Sequence, residues 1–255
     1  MENILIIKNI FKYIYIDKLT YLFLLLSVLS ASFIQVIIIF SLIIIHELGH
    51  LLMAKLLNIE IDKIYIYPLG GITKLNMNLN TNPLQESLVL LSGPILQLIF
   101  HAIYQHILPE YKSFIEFYNY QILFFNLLPI YPLDGGKILN IVVSSKVPYK
   151  LSIKYSIFIS YVILMIIILN NINNLKLNII IMIILLLYKL FKESYNIKNY
   201  YNKFLLERYL HNFKFKDTMI ISNINEFYRN KSHIIKEKGK YWREKDFLAK
   251  KYQKF

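Results

Sequence analysis

From Leu19 to Ile45 the chain carries no charged side chain, and its apolar character runs on to Leu57 with only His46, Glu47, His50 and Lys55 breaking it. As one helix these 39 residues would run roughly 58 Å at 1.5 Å per residue, about twice the roughly 30 Å hydrocarbon core of a bilayer. Two helices are therefore expected, with the break near Ser30-Ala31-Ser32. A soluble core cannot absorb so much apolar surface, and the composition agrees: 56% of residues are hydrophobic and mean hydropathy is +0.44, against about 45–50% apolar residues in soluble domains even with Gly counted. Lys8, Lys12 and Lys18 precede this stretch with no small-residue cleavage site in view. A retained first span is expected, not a removed signal peptide.

Four more apolar segments follow, at about Ser87 to His106 with Ser92-Gly93-Pro94 inside it, Tyr118 to Leu128 ended by Pro129 and Pro132, Tyr155 to Leu169, and Leu177 to Phe191. The sequence thus predicts an all-α polytopic membrane protein with about six transmembrane helices. Lysines before the first span, Lys137, Lys146, Lys150 and Lys154 between the fourth and fifth, and the basic C-terminal region all fall on one side of a six-span model. That side is expected to be cytoplasmic, with both termini there. From Lys189 to Phe255 there are 17 Lys or Arg against 7 Asp or Glu, which holds most of the chain's formal charge of +13. Residues 1–198 read as the membrane domain and 199–255 as a short basic cytoplasmic tail, with a reduced regulatory domain as the alternative reading of the tail. No nucleic-acid motif accompanies the basic residues, so anionic lipid is the expected partner of this charge and nucleic acid is not.

Residues 45–51 read Ile-His-Glu-Leu-Gly-His-Leu, an H-E-x-x-H inside an apolar helix. Positions i and i+4 share a helix face, so His46 and His50 can reach one metal while Glu47 approaches the water to be activated. Three protein ligands on zinc leave a place for water and bring its pKa to about 7. On a solvated helix such a pattern can be fortuitous. Two imidazoles and a carboxylate within a membrane span instead cost several kcal/mol unless paired or coordinated. The chain has no Cys, which excludes a thiolate site, a disulfide framework and a cysteine nucleophile. The third ligand expected is Asp134, in Asn126-Leu-Leu-Pro-Ile-Tyr-Pro-Leu-Asp-Gly-Gly136. Pro129 and Pro132 stop the helix and Gly135-Gly136 permit a tight turn, so the carboxylate is expected on irregular backbone. Without the histidines the same residues would read as a surface turn.

His46-Glu47-Leu48-Gly49-His50, followed about 85 residues later by an N-x-x-P-x-x-x-L-D-G segment, resembles the site-2 protease family of intramembrane zinc metalloproteases, and within it the sporulation branch. Pro68-Leu69-Gly70-Gly71, Ser92-Gly93-Pro94 with Gln97, and Phe204-Leu205-Leu206-Glu207-Arg208-Tyr209 add to the likeness, which covers roughly residues 1 to 210. The resemblance implies a three-helix catalytic core within about residues 34–140, with one Zn2+ on His46, His50 and Asp134 and Glu47 as the catalytic base. It also implies a membrane-associated sigma-factor precursor as substrate, membrane inhibitory partners, and a place in the mother-cell membrane around the forespore. Some relatives carry an adenine-nucleotide-sensing domain at the C-terminus. The roughly forty residues after Phe213 are short for one.

A peptide bond inside an intact helix is a poor substrate, so some element must hold it extended. Ile61 to Tyr67 alternates weakly and is rich in Ile and Tyr, Pro68-Leu69-Gly70-Gly71 can turn, and Ile72 to Leu79 can return. A hairpin there could pair edgewise with an unwound substrate, and Gly70, Gly71 and Asn126 are its candidate contacts. The plain alternative is an interfacial loop, with Asn126 bridging two helices. His101 and His106 lie about 140° apart on a helix and read as core or interfacial, not as a second metal site. His211 and His233 are expected to be solvated. Two other readings of the chain remain: the same chemistry on an anti-sigma factor or remnant signal peptides, and a non-catalytic metal-binding scaffold, which would have no need of Glu47.

Overall fold

The computed structural model describes residues 14–30, 32–67, 70–172 and 177–252. Lys8, Lys12 and the Pro68-Leu69 turn of the expectations above lie outside the described residues. The chain divides into two compact units, residues 1–77 with 84–126 and residues 78–83 with 127–255.

In the first unit the expected break is present: α1 (Lys18–Leu29) ends and α2 (Phe33–Leu56) begins across Ser30 and Ser32. Val36, Phe40 and Leu51 of α2 cluster with Ile64, burying one stripe of that helix. The sheet partner of the stripe is a hairpin, β2 (Ile61–Tyr67) and β3 (Gly70–Leu75), antiparallel with Tyr65 opposite Ile72 and Tyr67 opposite Gly70. β3 stops at Leu75, short of the expected Leu79. A strand the sequence did not announce, β1 (Ile14–Ile16), adds parallel to β2, giving the order β1-β2-β3. Among the described residues β3 is thus an edge strand. Two further helices complete the unit, α3 (Pro83–Ile107), which carries Pro94 inside it, and α4 (Lys112–Leu127). Ile38 and Leu42 of α2 cluster with Ile115 of α4 beneath Tyr104 of α3, and Ser41 donates to the Tyr104 hydroxyl at 3.1 Å. Gly49 and Gly93 let α2 and α3 touch backbone to backbone. A Cβ on Gly49 would lie 2.7 Å from Gly93 Cα, and one on Gly93 would reach the His50 ring.

The second unit holds α5 (Asp134–Ser144), α6 (Tyr149–Asn170), α7 (Leu177–Leu210) and a small C-terminal module. Ser152, Ser156 and Ser160 are fully buried along one stripe of α6. Asn140 of α5 donates to Ser156 Oγ at 3.1 Å, and the Tyr131 backbone N–H donates to Ser160 Oγ at 2.8 Å. Small residues allow close helix approach in an apolar medium, and these bonds satisfy the polar groups it buries. With 34 residues, α7 is roughly 51 Å long, more than a bilayer core requires. Its charged second half carries the module: β4 (Asp217–Ile221) parallel to β5 (Lys231–Glu237), β6 (Lys240–Arg243) antiparallel to β5, and α8 (Glu244–Tyr252). Lys238-Gly239, both at positive φ, form the two-residue turn that a twisted hairpin favours.

The molecule is mostly helical, but its two three-stranded sheets correct the all-α expectation. Among the described residues, three helices are long and apolar enough to cross a membrane: 33–56, 83–104 and 149–170. His233 also departs from expectation. It is buried, because β5 turns it inward, where its Nε2 accepts from the Tyr228 N–H at 2.9 Å and its Nδ1 lies 3.2 Å from Glu244. The buried Arg208 guanidinium at the end of α7 ties the module together. It donates to the carbonyls of Tyr228, Arg229 and Lys231, to Glu244, and to the Asn80 side chain. Leu79 N–H and Asn80 Nδ2 donate in turn to Glu207, which clasps residues 78–83 to α7.

Candidate metal centre

His46, Glu47 and His50 lie in the buried half of α2, with 2%, 8% and 6% of their surfaces exposed. One helical turn brings the imidazoles together, their Nε2 atoms 3.2 Å apart. Each ring's other nitrogen has its own acceptor. His46 Nδ1 lies 2.8 Å from Gln97 Oε1, and His50 Nδ1 lies 2.7 Å from the Val89 carbonyl oxygen. Both acceptors lack a proton to give once Gln97 Nε2 is assigned to its own bonds with Asn119 O and Oδ1 at 3.0 and 3.1 Å. These acceptors orient the two rings, and the Nε2 atoms meet on one face of α2. A backbone carbonyl and an amide oxygen on Nδ1 are the kind of partners that orient metal-binding histidines. The arrangement fits zinc.

Gln97 and Asn119 are fully buried, on α3 and α4. They form a hydrogen-bonded chain that sets the His46 ring from two neighbouring helices. On the other side of α2, Thr73 Oγ1 of β3 donates to Glu47 Oε2 at 2.5 Å, and Gly71, two residues earlier on the same strand, abuts Glu47 so closely that a Cβ there would overlap its carboxyl group. His101 is buried with its ring 5.6 Å from that of Tyr120, in keeping with a core histidine. His106 is exposed. Asn126 is half-buried, one residue before the end of α4.

In the second unit Asp134 is 8% exposed. It is the first residue of α5, preceded by Leu133 in extended backbone, so it sits on a helix N-terminus and not on the irregular backbone expected. Gly135 and Gly136 continue the helix, lying against the carbonyls of Leu127, Leu128 and Ile130. Lys137 Nζ stands 3.7 Å from the Asp134 carboxylate. Among the described residues, His46, His50 and Asp134 form a group of three side chains able to hold a metal ion. Two imidazoles and a carboxylate are a zinc donor set.

The sequence marked both histidines, Glu47 and Asp134. It did not mark Thr73 or Asn119, and Gln97 entered only as part of a likeness. Thr73 had one signal, its place two residues after Gly71 on a strand, where side chains share a face.

Residues 34–109 and 101–169 match the model of peptidase family M50, more than half of the chain, so the protein belongs to peptidase family M50. Among curated relatives, stage IV sporulation protein FB of Bacillus subtilis is 33% identical over 182 residues, 66% of this chain and 61% of that one. A zinc metalloprotease of Methanocaldococcus jannaschii is 30% identical over 129 residues, 46% of this chain and 37% of that protein. This chain thus spans less than two thirds of either relative. The fold matches that of the site-2 protease from Methanocaldococcus jannaschii at a TM-score of 0.56 and 23% identity, over 71% of this chain and 91% of that one. These likenesses place the chain in a peptidase family, and the Methanocaldococcus jannaschii relative is by name a zinc metalloprotease.

Proposed function

We propose that this chain hydrolyses a peptide bond at or within the bilayer of a membrane-associated protein, using one zinc ion held by His46, His50 and Asp134. The observation that carries the reading is the approach of the two buried Nε2 atoms, 3.2 Å apart, beside a buried Glu47. Zinc in such a site supplies Lewis acidity and lowers the pKa of water to about 7. Glu47 is the catalytic base. It takes a proton from the attacking water as oxygen bonds to the carbonyl carbon, and returns that proton to the amine as the C–N bond breaks. Gln97 and the Val89 carbonyl orient the imidazoles. The α2–α3 contact at Gly49 and Gly93 sets Gly93 against the His50 ring.

The preferred substrate is a membrane-associated sigma-factor precursor, by similarity to stage IV sporulation protein FB. The substrate strand would lie along the open edge of β3, near Gly70 and Gly71, with Asn126 a candidate for its backbone or the oxyanion. Six spans, with the Lys-rich connections and both termini in the cytoplasm, and a place in the mother-cell membrane complete the reading, along with membrane inhibitory partners. The test is co-expression with the sigma-factor precursor of the same genome. Wild type is expected to shorten the precursor, and Glu47→Gln and Asp134→Asn to leave it whole while accumulating in the membrane. A precursor that stays whole with wild type removes that substrate. Cleavage by Glu47→Gln removes the mechanism.

A further inference from the structure

The base of this site is held by a strand as well as by its own helix. Glu47 Oε2 accepts a hydrogen bond from Thr73 Oγ1 at 2.5 Å. Gly71, on the same face of β3, leaves beside Glu47 Oε1 the room that any side chain would fill, since a Cβ there would stand 2.8 Å from that oxygen. The two carboxylate oxygens are thereby made unlike. One is tied to the strand, and the other lies in the close approach that a Gly at position 71 permits. A Glu side chain has three rotatable bonds, and fixing it in one rotamer with one lone-pair edge presented removes much of the disorder that a base must otherwise lose in the transition state.

We infer that Thr73 is a positioning residue for peptide hydrolysis: its hydroxyl ties Glu47 Oε2 to β3 so that Oε1, in the space left by Gly71, is the oxygen that takes and returns the proton. This rests on the hydrolytic reading above and goes beyond it by assigning the two oxygens and by making the hairpin a part of the base's support. The proton balance is unchanged. One O–H bond of water breaks, the proton passes to Oε1, and it leaves Oε1 for the amine when the C–N bond opens. Thr73 keeps its own proton throughout.

The test uses the full chain reconstituted in liposomes, with the sigma-factor precursor and unfolded casein as probes and Glu47→Gln as the inactive reference. Thr73→Val keeps the shape and removes the hydroxyl, and Thr73→Ser keeps the hydroxyl and removes the methyl group. The expected result is a fall of tenfold or more in kcat for Thr73→Val, with KM within threefold of wild type and zinc content unchanged, and recovery of kcat to within threefold of wild type in Thr73→Ser. A Thr73→Val enzyme as fast as wild type overturns the inference. So does a Thr73→Ser enzyme as slow as Thr73→Val, or loss of zinc from Thr73→Val, since either makes the residue a packing element. Wild type that cuts neither probe removes the hydrolytic reading, and this inference with it. A readout free of activity is available because the chain has no Cys. With Glu47→Cys and Thr73→Cys together, a short bifunctional thiol reagent is expected to protect both thiols from maleimide in the membrane, and a pair that stays reactive overturns the contact.

Discussion

His46 and His50 are four residues apart on one helix, yet they depend on different kinds of support. The acceptor for His50 Nδ1 is a backbone carbonyl, that of Val89, which no substitution deletes. The acceptor for His46 Nδ1 is the Gln97 side chain, itself tied to Asn119. The two ligands should therefore differ in how easily they are disturbed. Gln97→Leu preserves bulk and removes the acceptor, and it is expected to lower zinc affinity about 10- to 100-fold, the usual effect of deleting an outer-shell partner. Competition with a chromogenic chelator on the purified chain measures this. Unchanged affinity would show that the ring is oriented by packing alone.

At the scale of elements, the crossing of α2 and α3 holds the site in place. Gly49 faces Gly93, and Gly93 faces the His50 ring and the His46 carbonyl. Gly93→Ala is expected to push the helices apart at the ligand turn and to cost about 1–3 kcal/mol, as overpacking does. A lower Tm in detergent together with reduced zinc content would register it. Much of this level was legible in the sequence, because uncharged length, Pro and Gly placement and the H-E-x-x-H spacing act locally. The break after Leu29, the hairpin that begins at Ile61–Tyr67 and the shared face of His46 and His50 followed from such local rules. What escaped was set by partners distant in the chain. β1 forms only because β2 offers it an edge, Gln97 and Asn119 meet only when α3 packs on α4, and Asp134 joins a helix because Tyr131 is anchored by Ser160 on α6. Composition is equally mute about the C-terminal region, where a basic count concealed a folded module around Arg208.

For the molecule as a whole, that module brings a dependence on pH distinct from the chemistry of the metal group. Burial lowers the pKa of His233 from its ordinary value of 6.5, opposed by Glu244 and reinforced by Arg208 and Lys231. The folded state thus binds this proton less readily than the unfolded chain does, so the contribution of neutral His233 is complete above about pH 6.5 and is lost as the pH falls toward its lowered value. Proteolysis of the module is expected to quicken as the pH falls below about 6.5, and His233→Asn to flatten that dependence. Removing Arg208 should be harsher. Glu244, whose pKa is lowered despite its burial by the bonds from His233 and Arg208, would be left without its cation. Arg208→Met is expected to cost about 3–5 kcal/mol, as for breaking a buried pair, and to leave residues 217–252 open to protease while zinc stays bound. If the two histidines of α2 and Asp134 of α5 share one metal, elemental analysis of the purified chain will show it. One zinc per chain is expected in wild type and in Glu47→Gln, and little in His50→Ala or Asp134→Asn. Zinc retained in full by Asp134→Asn, or absent from a folded wild type, would contradict it.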